Sequence, residues 1–362
     1  MNKFDVIVIG GGQSGLAIGY YLRRTGLSYI ILDNQKEAGG AWLHTWKSLK
    51  LFSPAQWSSL PGIIMTSDKP AQTDGSDYYP TRDVALEYLK NYESKYNLPI
   101  KRSIEVLNVV KVDEEFHLKT SDGIYVASAV VSATGSFNNP YIPTFDGAEN
   151  FKGQIIHSSQ YQNPQAFTGK RVAIVGEGNS GAQILAEVSK VTHTIWVTKK
   201  EPRFLPDHID GRFLFDAATQ MYEAQKAGKQ YKAPSLGDIV MVESVKDARS
   251  RSVLKSLRPF DHFTEHSIVW NDGHEEKIDA VIFCTGFKPA LKHLAGLNVI
   301  SDDGKSATQG TKSKVVGGLW FVGYGNWTGF ASATLIGVGR TAKTTVEEIS
   351  KFISTIKESQ TS

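Results

Sequence analysis

Val6-Ile7-Val8-Ile9-Gly10-Gly11-Gly12-Gln13-Ser14-Gly15 stands near the start of the chain, and Val172-Ala173-Ile174-Val175-Gly176-Glu177-Gly178-Asn179-Ser180-Gly181 repeats its pattern 166 residues later. In each stretch an apolar, β-branched run predicts a buried strand. Glycines spaced G-x-G-x-x-G follow, and then a helix-like segment, Leu16 to Arg24 in one case and Ala182 to Lys190 in the other. In a dinucleotide-binding β-α-β unit the first glycine makes the tight turn. The second lets the backbone approach a pyrophosphate, and the third lets helix and strand pack closely. The helix N-terminus offers free N–H groups and partial positive charge to the phosphates. One such fingerprint is a weak signal. Two of them, each in strand–turn–helix context, predict an α/β chain with two Rossmann-like domains that hold two dinucleotides. Enzymes that pass electrons between a nicotinamide and a flavin have that need.

The two units differ at the ribose. The strand Ser28-Tyr29-Ile30-Ile31-Leu32 ends in Asp33, 18 residues past Gly15. A carboxylate there accepts hydrogen bonds from a ribose 2′-OH and repels a 2′-phosphate. The same count from Gly181 falls on Lys199, followed by Lys200, with Arg203 close behind. The first site is therefore expected to suit FAD, and the second NADPH.

Composition narrows the classes further. The 362 residues carry 40 basic and 37 acidic side chains, a formal charge of +3, with no block of about five like charges, so no nucleic-acid footprint is evident. Cys284 is the single cysteine. It excludes an internal disulfide and the redox-active Cys pair of a disulfide reductase. A strand begins by Phe4, which leaves no apolar leader, and no apolar run approaches the ~20 residues that span a bilayer. The expectation is a soluble, cytoplasmic protein without a membrane partner. Asp207, His208 and Asp210 sit too close together in one polar turn to be read as a metal cluster, and no metal is expected.

Along the chain, the first β-α-β unit is followed by a loop-rich stretch (Gly39 to Asp77) and a helix over Asp83 to Tyr96. A meander comes next (106–110, 115–118, 123–126), and a buried run, Ala129 to Thr134, ends at Gly135. Asn139-Pro140-Tyr141-Ile142-Pro143 reads as a linker. The second unit closes on Asp279 to Gly286 in the same way. The expected division is 1–143 for FAD, 144–288 for NADPH, inserted within the first, and 289–362 for FAD again. Residues 203–262 form an insertion with helix around Ala217 to Ala227, Leu319 to Gly323 form a last strand, and Ser332 to Ile356 contains a long helix.

Phe151-Lys152-Gly153-Gln154-Ile155-Ile156-His157-Ser158-Ser159-Gln160-Tyr161 matches F-x-G-x-x-x-H-x-x-x-(F/Y), just upstream of the second fingerprint. With Gly39-Gly40-Ala41-Trp42 and Thr285-Gly286-Phe287, this order of motifs resembles the flavin-containing monooxygenases, class B flavoprotein enzymes, in their compact bacterial form. The related motif of Baeyer–Villiger monooxygenases usually ends in Trp, so Tyr161 points to the heteroatom-oxygenating branch. The resemblance implies a glutathione-reductase-like architecture with FAD and NADPH as cofactors. It implies that O2 adds to reduced flavin at C4a and that the (hydro)peroxyflavin hands one oxygen atom to a small thioether, thiol or amine.

Fingerprints and resemblance together place FAD contacts at Gly10, Gly12, Ser14, Gly15, Asp33, Gly40, Trp42, Trp46, Phe52, Val106, Thr134, Gly135 and Asn326. NADPH contacts are expected at Gly176, Gly178, Asn179, Ser180, Gly181, Lys199, Lys200, Thr285 and Gly286. Trp42, Trp46, Phe52 and Trp327 are expected to wall the flavin. His157 is read as positioning a cofactor rather than as a proton carrier, and no residue stands out as a catalyst. Two departures from the family appear. The loop Leu49-Lys50-Leu51-Phe52-Ser53-Pro54 lacks the Asn that many larger members place beside the flavin, and Asn326 stands where relatives often carry Asp. Competing readings are a Baeyer–Villiger enzyme of small ketones, an NADPH oxidase or flavin reductase, and a non-catalytic NADPH sensor. The partners expected are O2 and a small molecule, with a homodimer left open.

Overall fold

The computed structural model describes residues 2–66, 78–229 and 238–361, so parts of the Gly39–Asp77 loop and of the 203–262 insertion lie outside the described residues. In the first half, strands β1 (Asn2–Ile9), β2 (Tyr29–Leu32), β3 (Ile100–Lys101), β4 (Val106–Val112), β5 (Glu115–Thr120) and β6 (Gly123–Ser132) share one sheet. Helices α1 (Gln13–Leu22) and α2 (Arg82–Lys95) pack on it. The middle of the chain supplies β7 (Gln154–His157), β8 (Arg171–Val175), α3 (Asn179–Val188), β9 (His193–Val197), α4 (Gly211–Lys226), α5 (Glu243–Ser250) and β10 (Ser256–Leu257). It continues through β11 (His262–Phe263), β12 (Ser267–Val269) and β13 (Glu275–Lys277), a small antiparallel sheet, to β14 (Ala280–Phe283). The C-terminal part adds β15 (Thr308–Gln309), β16 (Lys312–Ser313), β17 (Leu319–Phe321) and α6 (Leu335–Thr361).

The strand orders are β15-β16-β17-β6-β1-β2-β3, with β4 and β5 continuing the meander from β6, and β10-β9-β8-β14-β7. The C-terminal β17 thus pairs in parallel with β6, Trp320 opposite Val131, while β7 to β10 and β14 form a separate parallel sheet between them in sequence. Alternation explains how both sheets are buried on two faces. Val6 and Val8 point into a core with Leu16, Leu22, Tyr92, Trp320 and Ile349. Ile7 and Ile9 point the other way, to Val109, Phe116, Leu118 and Phe321. In the second sheet Val172 and Ile174 face one cluster, Ala173 and Val175 another.

Two elements differ from the expectation. The third meander strand and the run from Ala129 are one continuous strand, β6. The small pair Ala127-Ser128 brings no glycine or proline to break it. Its first half pairs antiparallel with β5, its second with β17, and β1 runs beside it from Tyr125 to Ser132. The last helix begins within the expected stretch, at Leu335, and runs past it to Thr361, with Val346, Ile349 and Ile353 on a buried face against the first sheet.

The chain crosses between the sheets twice, and the two crossings pair with each other. The Tyr141 N–H donates to the Gly286 carbonyl at 3.0 Å, and the Lys288 N–H to the Asn139 carbonyl at 2.9 Å, around an antiparallel bridge between Pro140 and Phe287. The Lys288 ammonium lies 4.6 Å over the Tyr141 ring. Among the described residues no helix is long and apolar enough to cross a membrane.

Candidate functional site

The three glycines of each fingerprint have three distinct jobs. Gly10 and Gly176 hold φ of +106° and +136°, a conformation that L side chains rarely adopt. Gly15 and Gly181 lie so near the preceding turn that a Cβ would stand 1.9 Å from the Gly10 carbonyl oxygen and 2.3 Å from that of Gly176. The middle glycines face open space. A Cβ on Gly178 would meet nothing within 4 Å, and one on Gly12 only the Cα of Gly40, 3.7 Å away. Neither α1 nor α3 has a side-chain cap or an acidic residue in its first turn. The N–H groups of both helix starts therefore remain available to an anion lying over the middle glycine. Both turns fit a pyrophosphate.

One cavity of about 1320 Å³ runs from the first turn to the start of α3, and Gly176, Gly178 and Gly181 are not on its wall. A drug-sized ligand pocket is roughly 300–1,000 Å³, so this cleft is larger than one such ligand needs. Its wall takes in Gly10, Gly12, Ser14, Asp33, Gly40, Trp42, Trp46, Phe52, Val106, Thr134 and Gly135 from the first unit, and Asn179 and Ser180 from the second. The Gln13 side chain fastens two of these walls. It accepts from the Trp42 indole at 3.1 Å and donates to the Ala333 carbonyl at 2.7 Å.

Other expected positions lie elsewhere. Asn326 is exposed and outside the cavity wall, which is made at this end by Gly323 and by Ala333 to Leu335. Trp327 is not at the wall either; it packs against Phe321 and Tyr324. Gly323 favours glycine because its φ is +88° and a Cβ there would stand 2.8 Å from the Ser14 Cβ. The Asn179 side chain lines the cavity, but its amide is occupied. It donates to the Asp238 carbonyl at 3.2 Å and accepts from the Val240 N–H at 2.9 Å. Thr285 and Gly286 lie on the second crossing, with the Thr285 hydroxyl bonded to the Tyr141 carbonyl.

The ribose positions need two corrections. Asp33, at the end of β2, is 4 % exposed and pairs with Arg102, which also pairs with Glu93. Burial pushes the Asp33 carboxyl above its ordinary value, against the pull of the guanidinium and of the Gln35 and Gly11 N–H groups. Its oxygens are thus largely taken, and of about four lone-pair positions on a carboxylate few remain for a ribose. The second correction is one of register. The Gly10 N–H bonds to the Leu32 carbonyl, and the Gly176 N–H to that of Val197, both at 2.8 Å. Thr198, not Lys199, therefore stands where Asp33 stands, since the second unit is one residue shorter between its first glycine and the end of its strand. Thr198 is buried, its hydroxyl without a partner among the described residues. Lys199 and Lys200 follow it into solvent, and neither makes an ion pair among the described residues.

His157 is buried at the end of β7. Its Nε2 lies 3.0 Å from the Gly286 carbonyl, which can only accept, and its Nδ1 takes the Ser159 N–H at 3.1 Å. The ring is therefore the neutral Nε2–H tautomer, and burial lowers its pKa in the same direction. With both nitrogens engaged, His157 ties the motif to the crossing and does not line the cavity. Its ring meets Phe287 edge-on at 4.8 Å, and Phe287 stacks on Phe137 at 5.3 Å.

Tyr161, fully buried, donates to Glu187 on α3 at 2.9 Å. The same carboxylate accepts from the Trp46 indole at 3.3 Å and the Ser48 hydroxyl at 2.7 Å. It thus joins the motif, the second unit's helix and the first unit's cavity loop.

One turn earlier on the same helix, Gln183 is 8 % exposed and lines the cavity, with no hydrogen bond to another described residue. It escaped the sequence reading, although a lone polar residue among Ala182, Ile184 and Leu185 was the available signal. Cys284 is free and buried, its thiol pushed up to about 12, so it supplies no thiolate. Asp207 and Asp210 pair with Arg249 and Arg212.

The chain matches the family described as pyridine nucleotide-disulphide oxidoreductase over residues 7–323. In structure it is similar to the flavin-containing monooxygenase from Stenotrophomonas maltophilia, with 47 % identity, 97 % of this chain and 99 % of that one covered, and a TM-score of 0.87. In sequence it is 33 % identical to the uncharacterized oxidoreductase CzcO-like of Geobacillus kaustophilus, covering 95 % of this chain and 98 % of that protein. It is 26 % identical to indole-3-pyruvate monooxygenase YUCCA4 of Oryza sativa subsp. japonica, covering 95 % and 86 %. The lone buried cysteine separates it from the disulfide chemistry in the family's name. The chain belongs to the pyridine nucleotide-disulphide oxidoreductase family and, within it, to the flavin-containing monooxygenases, oxidoreductases that work with FAD and NADP(H).

Proposed function

We propose that this enzyme transfers one oxygen atom from O2 to a small soft nucleophile (a thioether, thiol or amine), with NADPH as the electron donor. The observation that supports it is the single cavity running from the Gly10–Ser14 turn to Asn179 and Ser180, walled by Trp42, Trp46, Phe52 and Phe215. Bound FAD supplies the redox chemistry there, accepting hydride and activating O2. The side chains bind, orient and exclude water. N–H groups at the starts of α1 and α3 hold the two pyrophosphates. The aromatic wall keeps the reacting centre dry, and the Gln183 amide, which makes no hydrogen bond to another described residue, is left to orient what lies beside it. We place the reaction in the cytoplasm.

An aryl methyl sulfide supplied with NADPH and O2 is expected to yield sulfoxide, with less hydrogen peroxide released than NADPH consumed. NADPH oxidation matched fully by peroxide would replace the proposal with an oxidase. Conversion of ketone to ester outrunning sulfoxidation would move it to the Baeyer–Villiger branch.

The exposed Lys199 and Lys200, with the uncharged Thr198 at the strand end, support a 2′-phosphate site. A charge-assisted hydrogen bond lost from it lowers affinity on the order of 10- to 100-fold, with solvent pulling toward the low end. Lys199→Ala is expected to slow flavin reduction by sub-saturating NADPH to that degree and to leave reduction by NADH nearly unchanged. Equal losses with both would assign Lys199 to the pyrophosphate or the fold.

A further inference from the structure

The two nucleotide units carry a carboxylate at the same place, but from opposite walls. In the first, Asp33 projects from the strand end and takes the N–H of Gly11, the residue between the first two glycines of the fingerprint. A Cβ on Gly11 would stand 2.8 Å from the Asp33 Oδ2, so a side chain at that fingerprint position points straight at the strand end. In the second unit the fingerprint position is Glu177, and the strand end is the uncharged Thr198. The Glu177 Oε2 accepts the backbone N–H of Lys199 at 3.1 Å. The acid missing from the strand is thus restored from the glycine turn, next to the lysine pair.

We infer that Glu177 is a specificity-determining residue for the nicotinamide cofactor, and this rests on reading the second unit as the NADPH site. Its carboxylate accepts a 2′-OH, as acids at this place in dinucleotide folds do, and opposes a 2′-phosphate that Lys199 and Lys200 attract. NADH and NADPH are therefore held by opposing groups. The half-exposed Glu177 must give up the Lys199 N–H and turn outward before a 2′-phosphate can settle there.

Calorimetric titration of the FAD-loaded protein with NADP+ and NAD+, and with 2′,5′-ADP and 5′-ADP as probes of the ribose position alone, tests this without turnover. Removing one like charge within several ångströms of the phosphate at the effective dielectric of a protein surface is worth about 3- to 30-fold. Glu177→Gln is expected to tighten NADP+ and 2′,5′-ADP by that factor and to weaken NAD+. Glu177→Gly, which copies Gly11, is expected to move both in the same directions and further for NAD+. Retained flavin and an unchanged circular dichroism spectrum show that either variant is folded. Parallel shifts for the phosphorylated and unphosphorylated ligands, or none, would overturn the inference while leaving the cofactor site standing. Failure of the unmodified protein to bind any of the four would remove the site itself.

Discussion

Gly15→Ala is expected to give a colourless, weakened protein, whereas Gly178→Ala is expected to give a yellow, fully folded one that no longer binds NADP+. Both substitutions add a single methyl group to a fingerprint glycine, so chemistry alone does not separate them. Position does. The Gly15 methyl would lie 1.9 Å from the Gly10 carbonyl oxygen and 3.0 Å from its carbon, and both are backbone atoms that no rotamer change can move aside. Relief requires α1 to lift from the turn, at a cost of about 3 kcal/mol, the upper end for overpacking. The same movement takes the N–H groups of the helix start away from the phosphate position. The Gly178 methyl meets no atom within 4 Å and fills only the space left for the ligand. Flavin absorbance per chain, urea denaturation midpoint and NADP+ titration separate the outcomes. A yellow, stable Gly15→Ala would show that the turn is looser than its contacts indicate. Undiminished NADP+ binding by Gly178→Ala would mean that the pyrophosphate does not lie over α3.

Glu187→Leu is expected to lower stability by about 2–4 kcal/mol, the range for leaving buried hydrogen-bond donors unpaired after a charged acceptor is removed. Three donors converge on that carboxylate: the Tyr161 hydroxyl, the Trp46 indole and the Ser48 hydroxyl. Tyr161 is fully buried and Trp46 nearly so, and neither gains water when Glu187 is lost. Glu187→Gln keeps an acceptor oxygen and is expected to recover most of the loss. Because Trp46 also forms the cavity wall, the leucine variant should change the quenching of bound flavin as well as the denaturation midpoint. Equal stability of the leucine and wild-type proteins would reduce this three-way junction to an incidental surface contact.

Local rules made much of the fold legible. Strand, turn and helix of both fingerprints lie within about ten residues of each other, and the alternation of Val6 to Ile9 and of Val172 to Val175 announces strands buried on both faces. What escaped depends on distance along the chain. Arg102 reaches Asp33 from the far side of α2, and Glu187 meets Trp46 across the boundary between the sheets, contacts that no spacing rule encodes. The step from Lys199 to Thr198 comes from a span between first glycine and strand end one residue shorter than its counterpart, which a fixed count from the glycines cannot register. Asn326 carried a suitable amide, but its backbone lies in a short helical turn that faces solvent beyond the cavity wall. Gln183 stands out in the sequence as a polar residue in an apolar helix face, and only the fold shows its place on the cavity wall, without a hydrogen bond to another described residue.

The pairing of the two crossings has a consequence for the order in which the molecule assembles. While the chain is being made, the edge of β6 from Val130 to Ser132 waits for β17, which emerges after the whole second sheet. Until then an apolar strand edge is exposed, a template for unwanted pairing. Once residues 154–283 have folded, Asn139 and Lys288 are held together by their own hydrogen bond, and the loop that β17 must close shrinks to the two short tails outside them. Shortening a flexible loop four- to fivefold lowers its closure cost by about 1.3 kcal/mol, roughly tenfold in the closing equilibrium. The inserted unit thus acts as a splint for the sheet that surrounds it. Chains stalled before Leu319 are therefore expected to aggregate more readily than completed ones, whose β17 covers that edge.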